Sequence, residues 1–195
     1  MFLIEYVKKH KITFFSVVIT FIIGIIIGIF ITFKIPENDK EDIKKYINDT
    51  IQTSKDNKID KQYLFKEKLL DNFKVIGIIW LLGCTIIASF TIYFFMIYKG
   101  VIFGYITASI IYVFGFNKEI KFLIITIIVK KILFLPIAFL LATSGIILYK
   151  EIIQRKNNIK QELLRHTIIM LVSSVFSLIV SFIDAYILTS LLHFL

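Results

Sequence analysis

The chain has little with which to build a crosslink or a metal centre. One cysteine, Cys84, excludes an intrachain disulfide and cannot hold a metal through thiolates. The three histidines, His10, His166 and His193, lie at the edges of apolar stretches. None has a His, Cys, Asp or Glu three or four positions on inside such a stretch, which argues against an HExxH-type zinc site. No glycine-rich phosphate loop is present, and no nucleophile has a convincing base beside it in the sequence. Enzymatic function and cofactor binding are therefore not expected. Proline is also scarce, with Pro36 and Pro136 the only two. Arginine is rarer than the basic total suggests, since only Arg155 and Arg165 stand among 23 basic residues. That lysine bias, with abundant isoleucine, points to an AT-rich bacterial genome.

What the chain does have is long apolar runs. Hydrophobic residues make up 57% of it and mean hydropathy is +0.83. A span needs roughly 20 mostly apolar residues. Ile12–Phe33, Val75–Tyr98, Gly100–Asn117 and Ile132–Tyr149 contain no charged residue, and Thr167–Leu195 contains only Asp184. The expected fold is all-α and polytopic, with about five transmembrane helices. The apolar run after Met1–Lys11 is too long for a signal peptide and lacks a small-residue cleavage site, so it is expected to be a retained first span. The net charge of +9 lies in the connecting segments, where it points to topology and anionic-lipid contact rather than nucleic acid.

Three regions follow: 1–33 as N-terminal tail and first span, 34–72 as a polar loop, and 73–195 as a four-span block. In the loop, Pro36 and Asn38–Asp39 mark a helix start. Ile43, Ile47 and Ile51 then give one apolar stripe. A second short helix is expected over Asp60–Asp71, using Tyr63, Leu64 and Leu70. The loop is either a solvated helical hairpin or a docking surface. Lys99 alone separates the second and third spans, which would make them adjacent and antiparallel. Phe122–Val129 is too short to span and is bracketed by Lys118, Lys121, Lys130 and Lys131. An interfacial or re-entrant helix is expected over 118–131. Lys8, Lys9 and Lys11 favour a cytoplasmic N-terminus, which places the 34–72 loop outside and the C-terminus opposite.

Asp184 raises the sharpest question. A carboxylate near a bilayer centre costs roughly 2.5–3.5 kcal/mol on insertion scales. The fifth span runs opposite to the fourth, so its last third lies near the end where the fourth begins. Asp184 is expected to approach Lys130 or Lys131, with Tyr186 or Ser181 as hydrogen-bond helpers. A protonated or snorkelling carboxylate is the alternative, and no second intramembrane acid supports a proton relay. Gly24–Gly28 and Gly100–Gly104 both fit GxxxG, expected to allow close helix packing or, less readily, a dimer face. Pro136 is expected in the first turn or so of the fourth span, where it removes little from the hydrogen-bond ladder.

Several short stretches together resemble the stage II sporulation protein M family: Asn72–Gly77 (NFKVIG), Trp80–Gly83 (WLLG), Lys99–Gly104 (KGVIFG), Gly115-Phe116-Asn117, Leu135-Pro136 and Asp184–Ile187 (DAYI). Their order agrees as well: one N-terminal span, a polar segment, then a compact block. The family usually carries Glu where this chain has Asp184, and it does not supply the Lys130-Lys131 pair. The resemblance implies a component of the engulfment machinery of endospore-forming bacteria, placed in the mother-cell or septal cytoplasmic membrane. It implies a non-catalytic scaffold in the lipid bilayer that recruits and positions two peptidoglycan hydrolases, the stage II sporulation proteins D and P. The alternative from architecture alone is the membrane subunit of an ABC-type exporter or another transporter.

Overall fold

A computed structural model describes residues 2–34, 36, 41–43, 45, 61–85, 87–115, 118–154 and 159–188. Every element is helical: α1 (Phe2–Lys9), α2 (Lys11–Thr32), α3 (Lys61–Gly83), α4 (Ala88–Phe114), α5 (Lys118–Ile153) and α6 (Ile159–Phe182), with a π-helical turn over Ile183–Leu188. In hydrocarbon each backbone N–H and C=O must be satisfied within its own segment, so even isoleucine-rich runs such as α2 become helices. Among the described residues, four segments are long and apolar enough to cross a membrane: Lys11–Thr32, Ala88–Tyr112, Leu133–Ile153 and Ile159–Tyr186. The chain is thus an all-α, multi-pass membrane protein.

Neighbouring side chains fix the directions of the helices. Ser16 pairs with Tyr93 at 2.7 Å, and further along Gly24 meets Gly100, so α2 and α4 run parallel. Lys150, near the end of α5, donates to Thr13 near the start of α2 (3.3 Å), so α5 runs the opposite way. In α3, Phe65 meets Phe182 and Gly83 meets His166, which makes α3 antiparallel to α6. The starts of α2, α4 and α6 and the ends of α3 and α5 therefore share one face, here called the basal face.

Three expectations change. Lys99 is not a turn: α4 continues through it, and the break falls at Gly83–Ile87. The Lys99-Gly100 pair looks like punctuation, but a helix that glycine lets approach α2 has no need to turn there. This break also takes Cys84 out of a span and into an exposed connection. The segment 118–131 is not a separate interfacial helix, because its backbone is continuous with the span in the 36-residue α5. Pro136 consequently lies in the helix interior rather than its first turn. The expected helix over Asp60–Asp71 is the first half of α3, whose polar residues keep it out of the four apolar spans. The stripe Ile43, Ile47 and Ile51 falls largely outside the described residues.

The most extensive helix pair is α2 with α4. The buried face of α2 is Thr13, Val17, Phe21, Gly24, Gly28 and Thr32, one stripe at three- and four-residue spacing. Gly24 and Gly28 lie against Gly100, Val101 and Tyr105, and Gly104 lies against Ile25. A Cβ on Gly24 would stand 3.0 Å from Gly100 Cα and overlap the Ile97 carbonyl oxygen. The two GxxxG motifs thus pack against each other within one chain. Helix α5 is central: every residue from Leu141 to Leu148 is buried. Phe139 stands edge-on to Phe21, with centroids 5.4 Å apart, and joins α5 to α2. Helix α4 ends at Gly115, whose φ of 70° and ψ of −166° suit only glycine.

Candidate functional site

Polar groups inside the bundle gather at three levels. Nearest the basal face, α1 folds toward the start of α6. Tyr6 is buried, and its ring lies 4.9 Å from that of His10. Both lie in the field of Glu162, which is buried and paired with Arg165 one turn on. Burial, then the Glu162 charge, pushes the Tyr6 phenol well above its ordinary range, against an opposing effect of Arg165. Burial is also the largest cause holding His10 below its ordinary value, with Lys9 next.

One turn deeper, His166 is 0% exposed and joins three helices. Its Nε2 lies 3.2 Å from the Trp80 carbonyl oxygen on α3, and its Nδ1 lies 2.7 Å from Ser144 Oγ on α5. The Trp80 carbonyl can only accept, so Nε2 carries a proton; Ser144 Oγ, the neighbour of Nδ1, also donates to the Leu141 carbonyl oxygen at 2.8 Å and so shares its single proton between the two. The ring fits because Gly83 and Gly145 leave room. A Cβ on Gly83 would stand 2.8 Å from His166 Cε1 and 2.9 Å from Gly145 Cα. Trp80 thus contributes a backbone oxygen and Gly83 an empty volume. A serine beside a histidine suggests a nucleophile and its base. Here Ser144 is 1% exposed and the glycine backbones close over the ring, so no substrate atom can reach the hydroxyl. The pair acts as a clamp.

At the other end, Asn72 of α3 donates to Ser181 Oγ at 3.0 Å. Phe65 meets Phe182 edge-on, and Tyr186 stacks on Phe182 with centroids 4.7 Å apart. Asp184 is half-buried in the first turn of the π-helix, which packs on α3. The side chains of Lys130 and Lys131 lie outside the described residues, and so does the expected pairing with Asp184. Ser173, Ser177 and Ser181 are all buried on the α6 face that carries His166, and their small size admits α3 closely.

Between these levels lies a set of charges that the sequence reading did not identify. Lys74 and Asp71 pair on α3, with Lys74 Nζ 3.7 Å from Asp71 Oδ1, and Lys99 on α4 lies within the field of Asp71. The Lys99 ammonium lies 5.4 Å from the centroid of the Phe95 ring. Reading Lys99 as a turn between two spans hid the group. His166 was missed for a different reason: its two hydrogen-bond partners, Trp80 and Ser144, lie on other helices. No cluster of three or more metal-ligating side chains occurs among the described residues.

The family model described as stage II sporulation protein M matches residues 17–188. No curated protein and no solved structure matches the chain.

Proposed function

Because the chain belongs to the stage II sporulation protein M family, we propose that it is a membrane scaffold that recruits peptidoglycan hydrolases to the septum during engulfment. The observation that carries this reading is the family match over nearly the whole chain. On this reading it catalyses nothing itself, in keeping with a Ser144–His166 pair that is sealed from substrate. Four long apolar helices fit a resident of the cytoplasmic membrane. With the N-terminus cytoplasmic, the 34–60 segment and the start of α3 lie outside, on the side where cell-wall enzymes work. Lipid and the hydrolases, stage II sporulation proteins D and P, are the partners, and nucleic acid is not.

The test is affinity capture of the tagged protein from sporulating cells, followed by identification of what comes with it. Hydrolases retained by the full chain and lost on replacing residues 37–60 with a flexible linker support the scaffold. Recovery of a nucleotide-binding subunit in their place would overturn it in favour of a transporter.

A further inference from the structure

The charges on α3 and α4 lie where a bilayer has no water. Lys99 is about 16 Å along α4 from Ala88, at ~1.5 Å per residue, and Lys74 is about 13 Å back along α3 from Gly83. Both helix ends sit at the basal face, and a hydrocarbon core is roughly 30 Å thick. The contact between Gly100 and Gly24 gives the same depth independently, since Gly24 is about 20 Å along α2 from Lys11. Lys99 and Lys74 are therefore near mid-depth, with Asp71 about one turn nearer the far end.

Intramembrane charges normally face the bundle interior or a watery cavity. These do not. The Lys74 and Asp71 side chains are 72% and 55% exposed on the outside of the bundle. Directly below them, toward the basal face, α3 and α4 diverge to leave an open apolar groove of about 470 Å³, lined by Ile78, Leu82, Phe90, Phe94 and Tyr98. Acyl chains would satisfy this groove but not the charges above it. Nor would a second copy of the chain. The patch holds two lysines against one aspartate, an excess of one positive charge, and a copy placed on it by two-fold symmetry would double that excess. A single carboxylate balances the patch.

We propose that the α3–α4 face receives a partner's transmembrane helix that carries one carboxylate near its middle. The apolar side chains of that helix fill the groove, and its carboxylate meets Lys99 and Lys74. The inference rests on the depth and sign of these charges, and holds whether or not the partner is a hydrolase.

Cys84 provides the measurement, being the only cysteine, exposed, and at the basal end of the groove. The full chain, labelled there with a donor fluorophore and reconstituted in phosphatidylcholine vesicles, is titrated with acceptor-labelled synthetic leucine–alanine transmembrane helices. One helix carries a central Glu, and its controls carry Gln or Leu at that position. Energy transfer is expected to show the Glu helix binding about tenfold or more tightly than either control. Lys74→Met with Lys99→Met should remove that preference while leaving the elution profile and thermal unfolding of the protein unchanged. A Lys99→Arg variant, which keeps the charge, should retain it. Equal transfer from all three helices, including none from any, overturns the proposal, and so does a preference that survives in the double methionine variant. Transfer between donor- and acceptor-labelled copies of the protein that disappears in Lys74→Met would assign the face to a second copy instead.

Discussion

Replacing Gly100 with alanine puts a methyl group where α2 already stands. The new Cβ would lie 3.0 Å from Gly24 Cα, 3.1 Å from Ile25 N and in overlap with the Phe21 carbonyl oxygen. All of these are backbone atoms, so no rotamer change can relieve the contact. Carbon atoms pack best at about 3.5–4.0 Å, so the helices must separate by roughly half an ångström or more at this point. A gap of that size forfeits a quarter to a half of each contact's attraction along the seam. Overpacking of this kind costs about 1–3 kcal/mol. Gly77→Ala is the internal control. It too is a helical glycine, but a Cβ there meets nothing within 4 Å. Alanine should be neutral or stabilise α3 by up to about 1 kcal/mol through helix propensity. Unfolding by SDS titration in mixed micelles, followed by circular dichroism, measures both. The reasoning fails if Gly100→Ala unfolds within about 0.5 kcal/mol of the parent, a shift typical of featureless surface changes. It fails equally if Gly77→Ala proves as damaging.

Ser144→Ala should cost about 1–3 kcal/mol in the same titration, because it leaves the buried His166 Nδ1 without its hydroxyl partner; an unchanged midpoint would remove the clamp. Asn72→Leu should cost less, about 0.5–1.5 kcal/mol, for the single bond to Ser181, and Ser181→Ala combined with it should add little, which a double-mutant cycle checks. Acidification should weaken the bundle through His10. Folding lowers its pKa from about 6.5, so the unfolded chain binds more protons as pH falls below that value. The His10 contribution is complete above about pH 6.5 and is lost as pH drops through the folded value. Wild-type thermal unfolding between about pH 7.5 and 5.5 should therefore fall more steeply than that of His10→Gln; equal slopes, or a wild-type midpoint that rises on acidification, would refute it.

The sequence made the fold class legible because hydropathy alone dictates helices in a membrane. The glycine motifs at Gly24–Gly28 and Gly100–Gly104 were visible for a related reason: a missing side chain is as local a signal as a long apolar run. Connectivity was harder. Lys99 followed by Gly100 looks like a turn, yet the true break at Gly83–Ile87 has neither charge nor proline. Only the pairing of α4 with α2 shows that helix to be unbroken. The fourth span begins at Leu133, one residue from the expected Ile132, but its helix begins earlier at Lys118, because Lys130 and Lys131 interrupt hydropathy without interrupting helical hydrogen bonding. His166 shows the limit most clearly. One turn from the buried Glu162, it looks like a residue at the water boundary. Its role depends on two glycines, Gly83 and Gly145, that come from other helices. Asp184 was recognised as an oddity from sequence, and the structure locates its π-helical turn against α3.

The burial of α5 on all sides from Leu141 to Leu148 has a consequence for how the protein is made. A chain inserted from its N-terminus delivers α2, then α3 and α4, before this central helix exists. The α2–α4 glycine seam needs no later residue, so that pair can join as soon as both are in the lipid. The faces that α3 and α4 will turn toward α5 must wait in the bilayer until it arrives. The His166 clamp closes later still, since α6 is inserted last and its ring needs backbone from α3 and a hydroxyl from α5 already in place. Truncation after α5 would therefore leave a paired but unlocked assembly, and the final helix is what makes the bundle a single unit.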